Sequence, residues 1–282
     1  MTLAPTAPWT QARATAAIAL SLTGVRRLGV AFSGGVDSSV LLALAAEVLG
    51  PGQVLAVLGV SPSLAAEERS AAHSVAKGIG VPVVEIETRE GERAGYIANG
   101  PDRCFHCKDE LFTTIDAELL AQHGLDAVAY GENADDAARP DRPGSRAATE
   151  HAVLRPLADA GMTKADVRAI ARVLDLPVAD KPAAPCLASR IPHFETVTPD
   201  KLRQIDQAEA ALRRLGLGDL RVRHHGAVAR VELTEADLVR VVQPLLREQV
   251  QQAVREAGFR FVTVDLSGIQ SGAFTLPLVT RS

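Results

Sequence analysis

The sequence predicts an α/β protein with a doubly wound parallel sheet, followed by a smaller α+β domain. Two observations predict this class. Short apolar runs alternate with helical patterns over the first part of the chain, an order typical of parallel sheets. From about Thr196 the order changes to helix, strand, strand, helix and strand. At 282 residues and 47% hydrophobic composition the chain is long enough for two domains, which we place at residues 1–190 and 191–282.

The elements of the first domain follow from the period of its apolar residues. Their predicted order is helix 9–22, strand 28–32, helix 36–49, strand 54–60, helix 64–78, strand 81–87, helix 108–122 and strand 126–131. A further helix is predicted to begin at Thr163, because Thr163-Lys-Ala-Asp166 has the form of a capping box. The Pro-, Gly- and Arg-rich segment 139–146 predicts an exposed loop.

In the second domain, Thr198 and Pro199 are residue types favoured at a helix N-cap and at the first helical position. The predicted order is helix 199–215, strand 220–225, strand 228–233, helix 235–257 and strand 260–265. Pro244 is a candidate break in the longer helix, because proline disrupts a helix interior.

The composition excludes several classes of protein. A net charge of −4 and a pI near 6.0 argue against a nucleic-acid partner, which normally requires a basic surface. No apolar run approaches the roughly 20 residues of a membrane span, and residues 1–23 lack the pattern of a signal peptide. We therefore expect a cytoplasmic protein with no membrane partner. Three cysteines, an odd number, favour thiol chemistry or metal ligation over a disulfide framework.

Residues 33–39, Ser-Gly-Gly-Val-Asp-Ser-Ser, predict a phosphate-binding loop between a strand and a helix. Glycines let the backbone approach an anion, and the helix start offers N–H groups and a favourable dipole. The lysine of a Walker A loop is missing, while the carboxylate of Asp37 suits a Mg²⁺ that bridges phosphates. An ordinary Gly-rich turn is the alternative. The expected phosphate and Mg²⁺ ligands are Ser33, Gly34, Gly35, Asp37, Ser38 and Ser39.

Polar residues also follow the strand predicted over 126–131. Asn133, Asp135 and Asp136 are expected to face the crevice of the phosphate loop, because ligands bind at the carboxyl ends of parallel strands. There they could hold Mg²⁺ or polarise a nucleotide group. The alternative is a local helix N-cap cluster, since Asn and Asp are common at such turns.

Cys186 lies in a loop bracketed by Pro185 and Pro192, which stiffen the backbone. A thiolate beside Arg190 would have a lowered pKa and would be nucleophilic. The alternative is a small buried hydrophobic residue, the usual state of a free cysteine.

Cys104 and Cys107 form a C-x-x-C motif placed directly before the helix predicted at 108–122. The motif occurs in redox dithiols, zinc sites and iron–sulfur sites. A structural zinc site needs four ligands, so Cys186 and a histidine such as His106 or His193 would have to complete it. A 4Fe–4S cluster held by three cysteines leaves one iron open, and this count matches the chain.

Arg221, Arg223 and His225 share one face of a predicted strand. Two guanidiniums in register suit a phosphate or carboxylate, although a solvated basic face would show the same pattern. Glu209 and Glu232, on neighbouring elements, are weaker candidates for polar partners or metal ligands.

The loop at 33–39 resembles the PP-loop of the N-type ATP pyrophosphatases, which cleave ATP between the α- and β-phosphates and adenylate a carboxyl or carbonyl oxygen. Together with residues 131–136, 155–164 and 181–190, it makes the chain similar to the LarE family of ATP-dependent sulfur transferases. The likeness extends over about residues 10–275. The segment 185–190, Pro-Cys-Leu-Ala-Ser-Arg, distinguishes the chain from other PP-loop enzymes.

The resemblance implies that pyridinium-3,5-biscarboxylic acid mononucleotide is adenylated by Mg·ATP and converted to thiocarboxylates, in the biosynthesis of the nickel-pincer nucleotide cofactor. One form of the family gives up the sulfur of the residue matching Cys186 and keeps dehydroalanine there. The other form holds a 4Fe–4S cluster on three cysteines and delivers a sulfide bound to the free iron. Cys104, Cys107 and Cys186 favour the second form.

The resemblance also implies cationic contacts to substrate phosphate or carboxylate, with Glu209 as a less secure site residue. It implies substrate binding and oligomerisation for residues 191–282, a homo-oligomer such as a hexamer, and a downstream nickel-insertion protein. Ile269 and Gln270 replace an aromatic residue and an arginine of the family, so any contact of this tail is in doubt. The implied cationic residues are Lys108, Arg190, Arg221 and Arg223.

Two other functions fit parts of the pattern. A tRNA thiolase, or a PP-loop ligase such as an NAD or GMP synthetase, would share the phosphate loop, but the negative net charge weighs against tRNA. A regulatory module that binds ATP without turnover, with cysteines that sense oxidation or iron, would bind ATP and release no pyrophosphate.

Overall fold

The protein, described by a computed structural model over residues 8–115, 117–139, 144–182, 184–270 and 274, forms two compact units. The first unit comprises Met1–Ser61, Glu68–Thr88 and Cys104–Ala184, and the second comprises Pro62–Glu67, Arg89–Arg103 and Pro185–Ser282. The chain thus contributes two early segments to the second unit before its C-terminal part. The assignment of substrate binding and oligomerisation to residues 191–282 stays a prediction.

The helices and strands, numbered in chain order, are the framework of both units. The helices are α1 (Gln11–Ser21), α2 (Val36–Leu49), α3 (Ala66–Ile79), α4 (Ala94–Ile97), α5 (Arg103–Thr114), α6 (Ala117–His123), α7 (Ala134–Ala137), α8 (Gly144–Glu150), α9 (Pro156–Asp159), α10 (Lys164–Val173), α11 (Pro199–Arg214), α12 (Glu235–Val241) and α13 (Pro244–Glu256). The strands are β1 (Leu28–Ala31), β2 (Val54–Val60), β3 (Val83–Glu87), β4 (Ala127–Tyr130), β5 (Leu220–His225), β6 (Val228–Leu233) and β7 (Phe261–Val264).

The first unit contains a parallel sheet in the order β3-β2-β1-β4, which confirms the predicted fold class. Leu28 of β1 is in register with Val54 of β2 and with Ala127 of β4. The apolar residues of β1 and β2 are largely buried, as expected for central strands of a parallel sheet. Because β2 and β4 flank β1, the strand order reverses at β1, and the loops that follow β1 and β4 open at this switch point.

An apolar cluster fixes two helices next to these loops. Phe112 of α5 and Ala147 of α8 pack in one core with Leu55, Val57 and Tyr130 of the sheet. The ring of Phe112 meets the ring of Tyr130 edge to face, with 5.8 Å between their centroids. The sheet therefore positions α5, which carries the C-x-x-C motif.

The single helix predicted over 108–122 is wrong in its start and in its continuity. α5 begins at Arg103, after the Pro-Asp pair of residues 101–102, and ends at Thr114. The Thr113 hydroxyl donates to the backbone oxygen of Asp109, and Thr114 makes the equivalent bond one residue on. Consecutive β-branched residues with such bonds disfavour a continued helix. The C-x-x-C motif therefore lies at the start of α5, not before a helix.

The loop predicted over 139–146 is only partly observed. Arg139 is exposed, and residues 140–143 lie outside the described residues. Gly144 is buried and begins α8, so the prediction of a loop is wrong from this residue onwards.

The second unit contains a mixed sheet in the order β5-β6-β7. β5 and β6 are antiparallel around a turn at Gly226, whose φ is 63°, while β6 and β7 are parallel. α11 begins at its predicted N-cap, Thr198, and packs on β5. The predicted break at Pro244 is confirmed, because α12 ends at Val241 and α13 begins at Pro244.

The helices were also compared with the length of a lipid bilayer. In the part of the chain that the structure describes, none combines the length and apolar composition that a membrane-spanning helix requires.

The buried face of α11 provides a test of the second unit. Ile205 is fully buried on this helix, whereas Gln207 is exposed. We expect Ile205→Ala to lower the free energy of unfolding by about 2–5 kcal/mol, because it removes buried methyl groups and leaves a cavity. The control Gln207→Ala should change it by less than about 0.5 kcal/mol. Urea unfolding measures both, and equal losses would contradict the assignment of this face to the core.

Candidate functional site

The predicted phosphate loop connects β1 to α2 in the first unit. Gly34 has a φ of 69°, and a Cβ added to it would lie 2.8 Å from Cα and Cβ of Ala72. A larger residue would therefore be strained and would clash. Gly35 is the N-cap of α2, and no described side chain caps this helix start. The first N–H groups of α2 are thus available to an anion, with the helix dipole favouring negative charge.

The serines of this loop differ in how far they are exposed to solvent. Ser38 Oγ donates to the Gly35 carbonyl at 3.0 Å and accepts from Ser33 N at 3.3 Å. Ser33 is exposed, so its hydroxyl can meet a ligand directly. Ser39 is fully buried, and its hydroxyl has no partner within the described residues. Contacts of Ser38 and Ser39 with phosphate stay predictions.

Gly131 brings the end of β4 against the start of α2. A Cβ on Gly131 would lie 2.6 Å from Ser38 N and 2.7 Å from the carbonyl carbon of Asp37, so only glycine fits. Asn133 Nδ2 then donates to Asp37 Oδ1 at 3.1 Å and to Asp136 Oδ2 at 2.9 Å. The sequence analysis did not identify this close approach, although a glycine directly after a strand was a signal for it.

Asn133 caps a helix and also contacts the phosphate loop, while a contact of its side chain with Mg²⁺ or nucleotide stays a prediction. It is the N-cap of α7, where its Oδ1 accepts from Asp136 N at 3.0 Å. Its amide also reaches the phosphate loop through Asp37. The structure therefore brings Asp37, Asn133 and Asp136 together, while the carboxylate of Asp135 accepts from Lys164 N at 2.8 Å.

Lys164 is a site residue that the sequence analysis missed. Its Nζ donates to Asp37 Oδ2 and forms an ion pair with it. The predicted capping box of Thr163 and Asp166 begins α10 and holds Lys164 in place. Local patterns predicted this box, but they gave no sign that the lysine would meet a carboxylate in the phosphate loop.

Lys108 lies beside the ring of Tyr130, a buried residue of the first unit. Its Nζ is 4.3 Å from the centroid of the Tyr130 ring, and a Cβ on Gly144 would lie 2.7 Å from its Cδ. Glu132, buried nearby, forms an ion pair with Arg155 Nη1 at 3.7 Å. Burial and the Glu132 carboxylate hold the pKa of Tyr130 well above its usual value. A contact of Lys108 with substrate stays a prediction.

None of the three cysteines is in a disulfide. Cys104 and Cys186 are exposed, and Cys107 is half-buried. The alternative of Cys186 as a buried hydrophobic residue is therefore wrong. Across the described ranges, no group of three or more His, Cys, Asp or Glu residues is arranged to hold a metal ion.

The backbone around Cys186 is fixed on both sides of its exposed thiol. Cys186 precedes a short 3₁₀ turn, Leu187–Arg190. Leu187 N donates to the Ser63 carbonyl at 3.0 Å, and Ser189 N donates to the Cys186 carbonyl at 2.9 Å. The thiol is therefore exposed while the backbone beside it is held by hydrogen bonds.

Arg190 is buried and contacts the same loop. Its Nε and Nη2 donate to the Glu209 carboxylate at 2.9 and 3.2 Å. Its Nη1 donates to the carbonyls of Pro185, at 2.5 Å, and Cys186, at 3.3 Å. Glu209 also accepts from Val222 N at 3.0 Å. These bonds place Arg190 beside the backbone of Cys186, while a contact with substrate phosphate stays a prediction.

Arg223 repeats this arrangement from β5. Its Nε and Nη2 donate to the buried Glu232 carboxylate at 3.0 and 2.9 Å, and its Nη1 donates to the Ser189 carbonyl at 2.9 Å. Arg221 and Arg223 are only 5% and 2% exposed, so they do not form a solvated basic face.

The tail after β7 contacts both arginines. The Gln270 carbonyl accepts from Arg221 Nη1 and from Arg223 Nη2, each at 2.8 Å. Burial, together with the charges of Arg190 and Arg223, holds the pKa of Arg221 below its usual value. The neighbouring guanidinium charges thus make the protonated form of Arg221 less favourable.

Comparison with known proteins provides independent evidence. Residues 12–136 match the asparagine synthase family. An uncharacterized protein of Synechocystis is 42% identical over 86% of this chain and 90% of its own length. Pyridinium-3,5-bisthiocarboxylic acid mononucleotide synthase of Lactiplantibacillus plantarum is 34% identical over 91% of this chain and 92% of its own length. An uncharacterized protein of Methanocaldococcus jannaschii is 28% identical over 86% of this chain and 90% of its own length.

The close approach at Gly131 can be tested directly. We expect Gly131→Ala to weaken ATP binding at least about tenfold, because its methyl group would push β4 away from the start of α2 and separate Asn133 from Asp37. The control Gly52→Ala adds a methyl group in open space. Isothermal titration calorimetry with Mg·ATP measures both, and unchanged affinity in Gly131→Ala would contradict the proposed importance of this contact.

Proposed function

Because the chain belongs to the LarE family of ATP-dependent sulfur transferases, we propose that it converts the carboxylates of pyridinium-3,5-biscarboxylic acid mononucleotide to thiocarboxylates. The product is a precursor of the nickel-pincer nucleotide cofactor. The single observation that carries this proposal is the 34% identity, over 91% of the chain, to a protein named for the bisthiocarboxylic product.

The first unit supplies the groups that an ATP site needs. The N–H groups at the start of α2 and the exposed Ser33 would bind phosphate oxygens. Asp37 and Asp136, linked through the amide of Asn133, offer the carboxylate oxygens that Mg²⁺ prefers. Lys164 would contribute a positive charge beside the pyrophosphate. These residues therefore fit Mg·ATP by their chemistry.

Adenylation makes the substrate carboxylate reactive. A carboxylate oxygen attacks the α-phosphorus of ATP, the bond to the β-phosphate oxygen breaks, and pyrophosphate leaves with that electron pair. The acyl adenylate then carries AMP as its leaving group. Positive charge near the phosphates stabilises the negative charge that develops on the departing pyrophosphate.

The second unit supplies the thiol and the arginines. Cys186 is exposed on a loop whose backbone is held by hydrogen bonds, and Arg221 and Arg223 lie together with Arg190. In the proposed reaction the arginines bind the phosphate or carboxylate of the substrate. A sulfur nucleophile adds to the acyl carbon, AMP leaves with the electron pair of the C–O bond, and a sulfur-bearing carbonyl remains.

The source of the sulfur separates two routes. We favour a 4Fe–4S cluster held by Cys104, Cys107 and Cys186, because three cysteines outside any disulfide match the ligand count of a cluster with one open iron. When bound, such a cluster supplies an iron that carries an additional sulfide. In the second route the Cys186 thiolate attacks the acyl carbon itself and AMP leaves. A base then removes the Cα proton of Cys186, the Cβ–S bond breaks, its electron pair leaves with the sulfur as a thiocarboxylate, and dehydroalanine remains on the chain.

Other features come from the family alone. A homo-oligomer such as a hexamer, a cytoplasmic location and a downstream nickel-insertion protein stay predictions. So do the cationic contacts of Lys108, Arg190, Arg221 and Arg223 with the substrate.

Substitutions at Asp37 and Cys186 should separate the two chemical steps. We expect Asp37→Ala to abolish pyrophosphate release, because Mg·ATP loses a carboxylate ligand. Cys186→Ala should keep pyrophosphate release within about twofold of the parent and lose thiocarboxylate formation, because adenylation precedes the sulfur step. Both are measured with the pyridinium dicarboxylate substrate, by a pyrophosphate assay and by mass spectrometry of the product.

Asp159→Ala, which changes an exposed carboxylate on α9, is the matched control and should retain both steps. If Cys186→Ala stopped pyrophosphate release as well, the assignment of this thiol to the sulfur step alone would be wrong. Tight ATP binding with no pyrophosphate release by the parent protein would favour the regulatory module instead.

The two sulfur routes should differ in the mass of the chain after turnover. We expect anaerobically purified protein to contain iron and sulfide at about four atoms of each per chain and to form several products per chain at constant polypeptide mass. Iron and sulfide analysis, followed by intact-mass spectrometry of the denatured chain, measures this. Loss of one hydrogen sulfide from the polypeptide, with one transfer per chain, would establish the sacrificial route and contradict the cluster.

A further inference from the structure

We propose that Asn99 is a positioning residue that, together with Arg103, fixes the loop carrying Cys186. Both residues belong to the segment Arg89–Arg103 of the second unit, far from Cys186 in sequence. The inference rests on the proposed function, since the position of Cys186 matters for catalysis only if its thiol takes part in sulfur transfer.

Asn99 is fully buried and makes every kind of hydrogen bond available to an asparagine. Its Nδ2 donates to the carbonyls of Ile191 at 3.3 Å, Pro192 at 2.7 Å and Glu195 at 3.0 Å. Its backbone carbonyl accepts from Phe194 N at 3.1 Å. The ring Nδ1 of His193 also lies 3.1 Å from this carbonyl, so one residue contacts the loop after Cys186 at five points.

The backbone of Asn99 adopts a conformation that few residues tolerate. Its φ is 55°, in the left-handed region, where asparagine is among the least strained residues other than glycine. Phe194, which donates its N–H to Asn99, also has a positive φ, of 68°. The surrounding hydrogen bonds hold both residues in the left-handed backbone conformation, which would otherwise be unfavourable.

Arg103 connects Asn99 to the turn after Cys186. Arg103 is buried, and its Nη1 donates to Asn99 Oδ1 at 2.5 Å and to the Ala188 carbonyl at 3.0 Å. The guanidinium thus orients the amide of Asn99, so that its Nδ2 rather than its Oδ1 points at the carbonyls of the loop.

A third contact comes from the same segment. The Tyr96 hydroxyl hydrogen-bonds with Ser63 Oγ, and the Ser63 carbonyl accepts the N–H of Leu187. Tyr96, Asn99 and Arg103 are all buried, and all contact the Cys186 loop directly or through one residue. The side chains of this segment therefore support the loop, because they supply hydrogen bonds that regular secondary structure does not provide there.

The loop needs this support because its own backbone offers few internal bonds. It contains one 3₁₀ turn and two prolines, Pro185 and Pro192, which lack an N–H. Its carbonyls must find donors elsewhere when they are buried. Asn99 and Arg103 provide them. In both routes Cys186 helps to place the sulfur that reacts. Attack of a sulfur nucleophile on an activated carbonyl depends steeply on the distance and angle of approach, so movement of this loop would slow sulfur transfer.

The test uses Asn99→Gly in the full-length protein, because glycine keeps the left-handed backbone and removes only the side chain. We expect amide hydrogen exchange in residues 187–195 to rise at least about tenfold, and alkylation of Cys186 by iodoacetamide to change in rate. We also expect kcat for thiocarboxylate formation to fall at least about tenfold, with KM for ATP and pyrophosphate release within about twofold of the parent.

Asp175→Gly is the matched control, because Asp175 is exposed in the first unit and also has a left-handed φ, of 51°. It should leave exchange in residues 187–195 and sulfur transfer unchanged. Arg103→Lys is the second variant, for the case that Asn99→Gly does not fold. It keeps the charge but loses the planar group that reaches both Asn99 and Ala188, and it should shift exchange and kcat in the same direction.

Unchanged exchange in residues 187–195 in a folded variant would overturn the inference, as would increased exchange with an unchanged kcat. The failure of the proposed function has a different signature. If Cys186→Ala kept sulfur transfer, the role of Cys186 and this inference would both be wrong. If Cys186→Ala lost transfer while Asn99→Gly and Arg103→Lys kept it, only the inference would be wrong.

Discussion

Buried guanidinium groups that bind backbone carbonyls determine the structure around the exposed thiol. Arg190 and Arg223 each form a bidentate pair with a buried carboxylate, Glu209 or Glu232, and donate their remaining N–H groups to the carbonyls of residues 185–189. Burying an ion pair has a large desolvation cost, which short and numerous hydrogen bonds offset. An apolar pair of equal volume would fill the same space without the cost, but it would leave the carbonyls without donors. We therefore interpret these pairs as devices that specify one loop conformation.

The two units present hydrogen-bond donors in different ways. In the first unit the donors are backbone N–H groups at the start of α2, and glycines at positions 34 and 131 make room for them. In the second unit the donors are arginine side chains held inside the protein. Backbone donors need no charge compensation, whereas the arginines require Glu209 and Glu232 to make their burial tolerable. The arginines and their acidic partners thus form one buried unit, and removing a carboxylate would leave an uncompensated buried charge.

Local features of the chain were predicted well from sequence. The bounds of α2, β2, β5 and β6 match, because apolar periodicity, capping residues and turn glycines are encoded within a few neighbouring positions. Long-range pairings could not be read in this way. No neighbour of Lys164 indicates Asp37 as its partner. The donors of Arg190 could be assigned to Glu209 only once α11 was placed against the turn Leu187–Arg190. Buried polar residues such as Asn99 look like ordinary loop residues in sequence, because their role depends on carbonyls that come from a distant segment.

The tail after β7 binds the two arginines through its main chain. The main-chain oxygen of Gln270 accepts from Arg221 and Arg223, and its main-chain nitrogen lies 3.4 Å from Glu232 Oε2. Every amino acid carries that oxygen, so a substitution at this position does not by itself remove the acceptor. Anchorage of the tail therefore depends on the course of the backbone rather than on which side chain stands at position 270.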